Sequence, residues 1–252
     1  MKKIILLFLI FPALLAAQIN ESDTLKVKAD LTLSGFWQGG NVETVIFKAK
    51  SEISLRPAEK WAFKTINSYV YQAFGGDKAD EDILSLNFIY FNPEQKISPL
   101  LLGFFSTNFR REINARQLLG AGLSFQLLTH EDYWLKFAVT SEYEHTDFNL
   151  SRFNLPEYNG QHVINTLRGT IWVSGKYHLF KRKVVLSHES YFQPSLQEAD
   201  NYRWEADLGL DLPLTKHFSF KINYVHSFES IVIESQKLED NMLTFGFTLK
   251  SY

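Results

Sequence analysis

From Leu25 onward the chain alternates apolar and polar residues with a period of two. Leu25, Val27, Ala29, Leu31, Leu33, Gly35 and Trp37 share one parity, and Lys26, Lys28, Asp30, Thr32 and Ser34 the other. Near the C-terminus Tyr202, Trp204, Ala206, Leu208, Leu210 and Leu212 alternate with Arg203, Glu205, Asp207, Gly209 and Asp211. Phe218, Phe220, Ile222 and Tyr224, then Leu243, Phe245, Phe247 and Leu249, repeat the pattern. A strand sorts such residues onto two faces automatically, whereas a helix scatters them around its axis. The alternation predicts about 12 strands, each near the ~9–11 residues that a tilted strand needs to cross a bilayer. Their expected spans are 25–37, 44–56, 61–73, 83–92, 98–108, 117–128, 133–146, 164–179, 183–193, 201–212, 217–228 and 241–250. No helical period competes, and residues 18–252 read as one domain.

The connections add a second signal. Pro57–Lys60, Asn92–Ile97, Thr129–Asp132, Phe180–Arg182 and Pro213–Lys216 are short and rich in turn residues. Between them lie Gly75–Asp82, Asn108–Arg116, Asp147–Val163, Pro194–Asp200 and Glu229–Asp240, with Gln38–Glu43 the one short exception. Short periplasmic turns alternating with longer outer loops characterise an up-and-down transmembrane β-barrel with both termini in the periplasm.

Alternation alone does not say which parity faces out, because a soluble β-sandwich or lipocalin-like barrel would show it inverted. Three features favour lipid: long strands, an even strand count, and aromatics near strand ends (Trp37, Trp61, Tyr133, Tyr143, Tyr177, Tyr224) where interfacial girdles sit. The apolar parity of the sixth, eighth, tenth, eleventh and twelfth strands carries no charge. In the ninth, Leu186 shares its face with His188 and Ser190. The expected fold is therefore an all-β, antiparallel, up-and-down transmembrane barrel.

Residues 1–17 have the layout of a cleaved signal peptide: Lys2 and Lys3, an uncharged run from Ile4 to Leu15, then Ala16 and Ala17 before Gln18. That run is shorter than a spanning helix requires. Export to a bacterial outer membrane follows as the expected localisation, with outer-membrane lipid and, during biogenesis, the barrel-assembly machinery as expected partners. Absence of cysteine excludes a lipid-anchored cysteine, disulfides and thiolate chemistry. A net charge of −2 gives no electrostatic case for nucleic acid.

Particular residues resemble a known family. Gly40, Asn41 and Thr44 look like its first hairpin, and Arg116 before Gly120, Ala121, Gly122 and Leu123 is similar to its mid-chain strand. Phe192, Gln193, Pro194, Ser195 and Leu196, followed by Tyr202 and Arg203, resemble its Pro-Ser loop and Tyr-Arg strand. Leu212 to Lys216 matches its next turn. The family is the YdiY-like group of salt-induced outer membrane proteins, and the resemblance runs from about Gly35 to the end of the chain. It implies an outer-membrane barrel without implying an activity. Tyr252 departs from the usual barrel ending, being out of phase with Phe245, Phe247 and Leu249.

Candidate chemistry is sparse. His145, Asp147 and His162 lack the short spacing of zinc sites, and Asp77, Asp80, Glu81 and Asp82 lack the ligand spacing of a calcium loop. Neither a metal nor a cofactor is expected. His188 and Ser190 share a strand face, as a lipid-acting barrel hydrolase would need, but same-face neighbours on a strand stand about 7 Å apart, so a non-enzymatic barrel is expected. A loop-based adhesin or receptor would use Asp147–Val163, with Arg152, Phe153, Pro156, Tyr158 and Gly160. The richest constellation is the charged parity: Lys48, Lys50, Glu52, Lys64, Lys136, Glu142, Glu144, Arg168, Lys176, Glu189, Arg203, Glu205, Asp207, Asp211 and Lys221. With both signs present, these side chains either plug the interior by pairing or line a narrow polar pore.

Overall fold

The computed structural model describes residues 26–41 and 43–251. The expected signal peptide and Tyr252 lie outside the described residues. The strands are β1 (Val27–Gln38), β2 (Thr44–Ala58), β3 (Trp61–Phe74), β4 (Asp77–Phe91), β5 (Ile97–Asn108) and β6 (Ile113–Thr129), then β7 (Tyr133–Phe148), β8 (Val163–Leu179), β9 (Val184–Pro194), β10 (Tyr202–Pro213), β11 (Phe218–Glu229) and β12 (Glu239–Ser251). Each pairs antiparallel with its sequence neighbours, and β1 pairs with β12 to close the barrel. Closure leaves no unpaired edge. Among the described residues the β1–β12 seam is short: six residue pairs, from Ala29–Ser251 to Ser34–Gly246, against twelve for β1–β2.

Two boundaries differ from expectation. Gly75 and Gly76, both at positive φ, close a two-residue turn, so β4 starts at Asp77 and the expected acidic loop lies on the strand. Likewise β6 starts at Ile113, leaving only residues 109–112 between it and β5. The register between β6 and β7 depends on glycine: a Cβ on Gly122 would stand 2.0 Å from the Val139 carbonyl oxygen.

The outer wall exposes Leu31, Leu33, Phe47, Leu101, Leu119, Leu123, Leu208, Leu243, Phe245, Phe247 and Leu249, while Lys28, Lys48, Lys64, Glu142, Glu144 and Arg168 are buried. That inversion suits hydrocarbon outside, where burying a charge among apolar groups would be costly. At the outer rim, loop 149–162, with a 3-10 turn at Pro156–Tyr158, folds against loop 230–238. Phe153, Tyr158, Ile231 and Ile233 form a small buried core with Ile113, Phe148 and Ile164. Phe153 bridges Ile233, Asn154 donates to the Ser230 carbonyl (2.9 Å), and Arg152 pairs with Glu234. The side chains expected to serve loop recognition, Phe153 and Tyr158, are thus spent on packing.

Candidate functional site: the ionic lumen

All fifteen charged residues singled out from the sequence stand on the inward parity. For Lys48, Lys50, Lys64, Glu144, Glu189, Arg203 and Asp207 this follows from contacts between strands that are not neighbours, which can meet only through the lumen. The others share the parity of these or of buried inward residues on their strands. Lys50 on β2 meets Asp207 on β10 at 2.7 Å. Lys64 on β3 meets Glu189 on β9 at 3.5 Å and its neighbour Glu52 at 3.4 Å. Strands β3 and β9 are diametrically opposed in a twelve-membered ring, so the lumen is pinched there. Lys48 donates to Asn223 on β11 (3.2 Å), and Asn223 donates to Asp207. Deeper toward the turn side, Asp211 pairs with Lys221 at 3.2 Å and accepts from Ser219 at 3.0 Å.

A second cluster occupies the outer half. Glu144 lies between three guanidinium groups: Arg168 Nε at 2.5 Å, Arg203 Nη2 at 2.7 Å and Arg116 Nε at 3.6 Å. Arg116 is also bidentate to Glu229, at 2.7 and 2.9 Å. Arg168 reaches the Asn201 side chain (2.8 Å), tying loop 195–201 into the cluster. Glu142 accepts from Thr140 and from Thr170 (2.8 Å). These residues belong to β6, β7, β8, β10 and β11, so the cluster fastens nearly half of the ring.

The remaining sector is apolar inside. Ala62, Ile66, Leu86, Phe88, Tyr90, Leu100 and Leu102 pack as a buried cluster with Trp172 across the lumen, and Phe88 meets Trp172 edge-on at 5.8 Å. Lys136 lies 5.4 Å from the Tyr90 ring centre. This cluster fills the turn-side part of the lumen along β3–β5, while farther out Ser68, Val70, Leu84 and Phe104 face open space across from the ionic side. A cavity of about 210 Å³ occupies the outer half, walled by Lys48, Arg116, Glu205 and Glu229 among others. A smaller one of about 70 Å³ lies below, walled by Asp30, Glu52, Lys64, Lys176, Asp211 and Lys221. Lys50, Glu189 and Asp207 line both, and mark where the two meet.

The other candidates separate. His188 and Ser190 do share the outward face of β9, but the His188 ring stacks on Tyr177, with Nε2 3.3 Å from its hydroxyl, and among the described residues it makes no hydrogen bond to Ser190. His145 pairs with Asn165 (2.8 Å), Asp147 with Asn114 (2.7 Å), and His162 faces the Phe148 carbonyl (3.2 Å). Asp80 is engaged by Arg110 at 2.9 Å, and Asp82 accepts from Asn108 and the Phe109 amide, each at 3.0 Å. Hydrogen-bond donors thus occupy the acidic stretch. Sequence reasoning missed Arg116 and Glu229 as lumen groups, although their parity on extended strands would have placed them. It also missed the apolar lining of β4 and β5, where no charge marks the inward face.

Comparison with known proteins follows from this geometry. Among solved structures, the NanC porin is similar with a TM-score of 0.53 at 11% identity, covering 87% of this chain and 98% of that one. The translocator domain of the autotransporter NalP from Neisseria meningitidis gives 0.48 at 14% identity, covering 91% and 90%. The KdgM porin gives 0.42 at 10% identity, covering 90% of this chain and 99% of that one. At these identities the likeness speaks to the fold alone. No curated protein matches the chain. The family model described as "Protein of unknown function, DUF481" matches residues 31–250, so nearly the whole barrel, and the chain belongs to that family.

Proposed function

We propose that this protein is a bacterial outer-membrane barrel offering a narrow path for small polar solutes or ions, without enzymatic activity. The observation that carries the reading is the pair of stacked cavities meeting at Lys50–Asp207 and Glu189. Barrels of eight strands are filled by their side chains and those of 16 to 18 hold aqueous channels; twelve strands with one sector packed leave room for a thin polar path. Mixed charge at the constriction favours small solutes over large anions or cations, since each sign meets its opposite along the way. A link to salt or osmotic stress is consistent with such a path and belongs to the same proposal.

Planar-bilayer recording of the refolded protein tests it. Small, reproducible conductance steps are expected. The double substitution Lys50→Gln/Asp207→Asn, which removes the pair without leaving a lone charge, should enlarge them. Asp207→Asn alone should shift selectivity toward anions. A silent bilayer with correctly folded protein overturns the pore. It would favour a closed structural barrel, for which the Glu144 cluster and the packed β3–β5 sector are the supporting observations.

A further inference from the structure

The outer wall is not uniformly apolar. On β3 and β4 the inward positions are Ile66, Leu86 and Phe88, and the outward ones between them are Thr65, Asn67, Ser85 and Asn87. In this sector the usual order is reversed, with apolar residues inside and amides outside. Thr65 and Asn67 lie midway between Trp61 and Tyr71 on the same face, hence near the middle of the hydrocarbon. The polar groups form a ladder across the strands: Asn67 Nδ2 donates to Thr65 (3.0 Å), Ser85 donates to Asn67 Oδ1 (2.8 Å), and Asn87 Nδ2 donates to Ser85 (3.1 Å). Beside it is a shallow groove floored by Gly103 and flanked by Phe105, Gln117, Leu119 and Tyr143. A side chain added at Gly103 would meet nothing within 4 Å. Asn87 and Gln117 are exposed, and among the described residues the Asn87 carboxamide oxygen and the Gln117 side chain take part in no hydrogen bond.

Carboxamides facing hydrocarbon forfeit hydrogen bonds that water would supply. In membranes such groups hold protein to protein, and small residues let the backbones approach. The opposite wall exposes Leu208, Leu243, Phe245, Phe247 and Leu249, and no ladder of hydrogen-bonded amides runs across it among the described residues. We infer that the β3–β5 wall, with Gln117 on β6, is the contact face of a two-fold dimer of this chain, amide ladder against amide ladder over the Gly103 groove. A second copy is the occupant that fits. Each carboxamide carries both donors and an acceptor, so the patch complements itself, as an isologous interface requires. A copy in the same membrane also presents it at the same depth.

Because the chain has no cysteine, single cysteines report the contact cleanly. Asn87→Cys in native outer membranes should give a disulfide-linked dimer on mild oxidation, and Leu243→Cys on the far wall should not. The triple substitution Thr65→Val/Asn67→Val/Asn87→Leu should keep the heat-modifiable mobility of a folded barrel and lose the dimer on cross-linking with a lysine reagent. Equal cross-linking from both walls, a folded wild type that stays monomeric in the membrane, or an Asn87→Cys adduct with a different protein would each overturn the dimer.

Discussion

Glu144 holds together more of the molecule than its single charge suggests. With Arg116, Arg168 and Arg203 around it, its loss would leave three buried guanidinium groups facing one another without the carboxylate between them. Removing one partner of a buried ion pair typically costs about 3–5 kcal/mol. Glu144→Gln is therefore expected to lower the temperature at which the folded band converts to the unfolded one on gels, well beyond Glu205→Gln on the open cavity wall. Gly122 is a second such residue. Glycine-to-alanine there forces the β6–β7 ladder apart, an overpacking cost of about 1–3 kcal/mol. The same assay should register it, whereas Gly103→Ala, with open space around it, should leave the monomer's stability unchanged.

At the scale of elements, the rim loops supply a pH test. Tyr158 donates to Glu198, linking loop 149–162 to loop 195–201. Burial, then this hydrogen bond beside a carboxylate, pushes its phenol well above the ordinary tyrosine range. A folded-state value raised above the unfolded one stabilises the docked loop below pH ~10, and the contribution declines as pH rises from there toward the raised value. Protease sensitivity of loop 149–162 should hence stay flat through neutral pH and increase only under strongly alkaline conditions. Tyr158→Phe should make it sensitive throughout. How much of these elements was legible in the sequence depends on charge. In β8 and β10, Arg168, Lys176, Arg203, Glu205 and Asp207 mark the inward parity, and the structure places them there. In β4, Leu84, Leu86 and Phe88 face in while Ser85 and Asn87 face out, so the common rule points the wrong way. The β4 start was misplaced for another reason: Gly75 and Gly76 turn the chain in two residues, letting an acidic stretch pair as strand instead of looping. Which charges would pair across the lumen was not legible, because partners such as Lys64 and Glu189 stand 125 residues apart and meet only once the ring closes.

For the whole molecule, the ionic and apolar halves of the interior divide the work. Packed aromatic and aliphatic side chains fill the turn-side part of one wall, and the space above them, facing the paired charges, is open to water. A narrow path is the natural product of that asymmetry. Its conductance should fall if the larger cavity is filled, for example by Ser68→Trp, without change in the folding transition.

The short seam between β1 and β12 bears on how the barrel carries load. A closed ring in a bilayer acts as a hoop, and lateral tension in the membrane is borne equally by every junction around it. A hoop yields at its thinnest link, which here, among the described residues, has half the rungs of the adjoining junction. Under swelling stress the wall would part first between the chain's two ends, a slit toward the lipid rather than a rupture of the lumen. A disulfide across the seam, Leu33→Cys with Phe247→Cys, should accordingly raise the force or temperature of opening more than Leu123→Cys with Val139→Cys in the long β6–β7 junction.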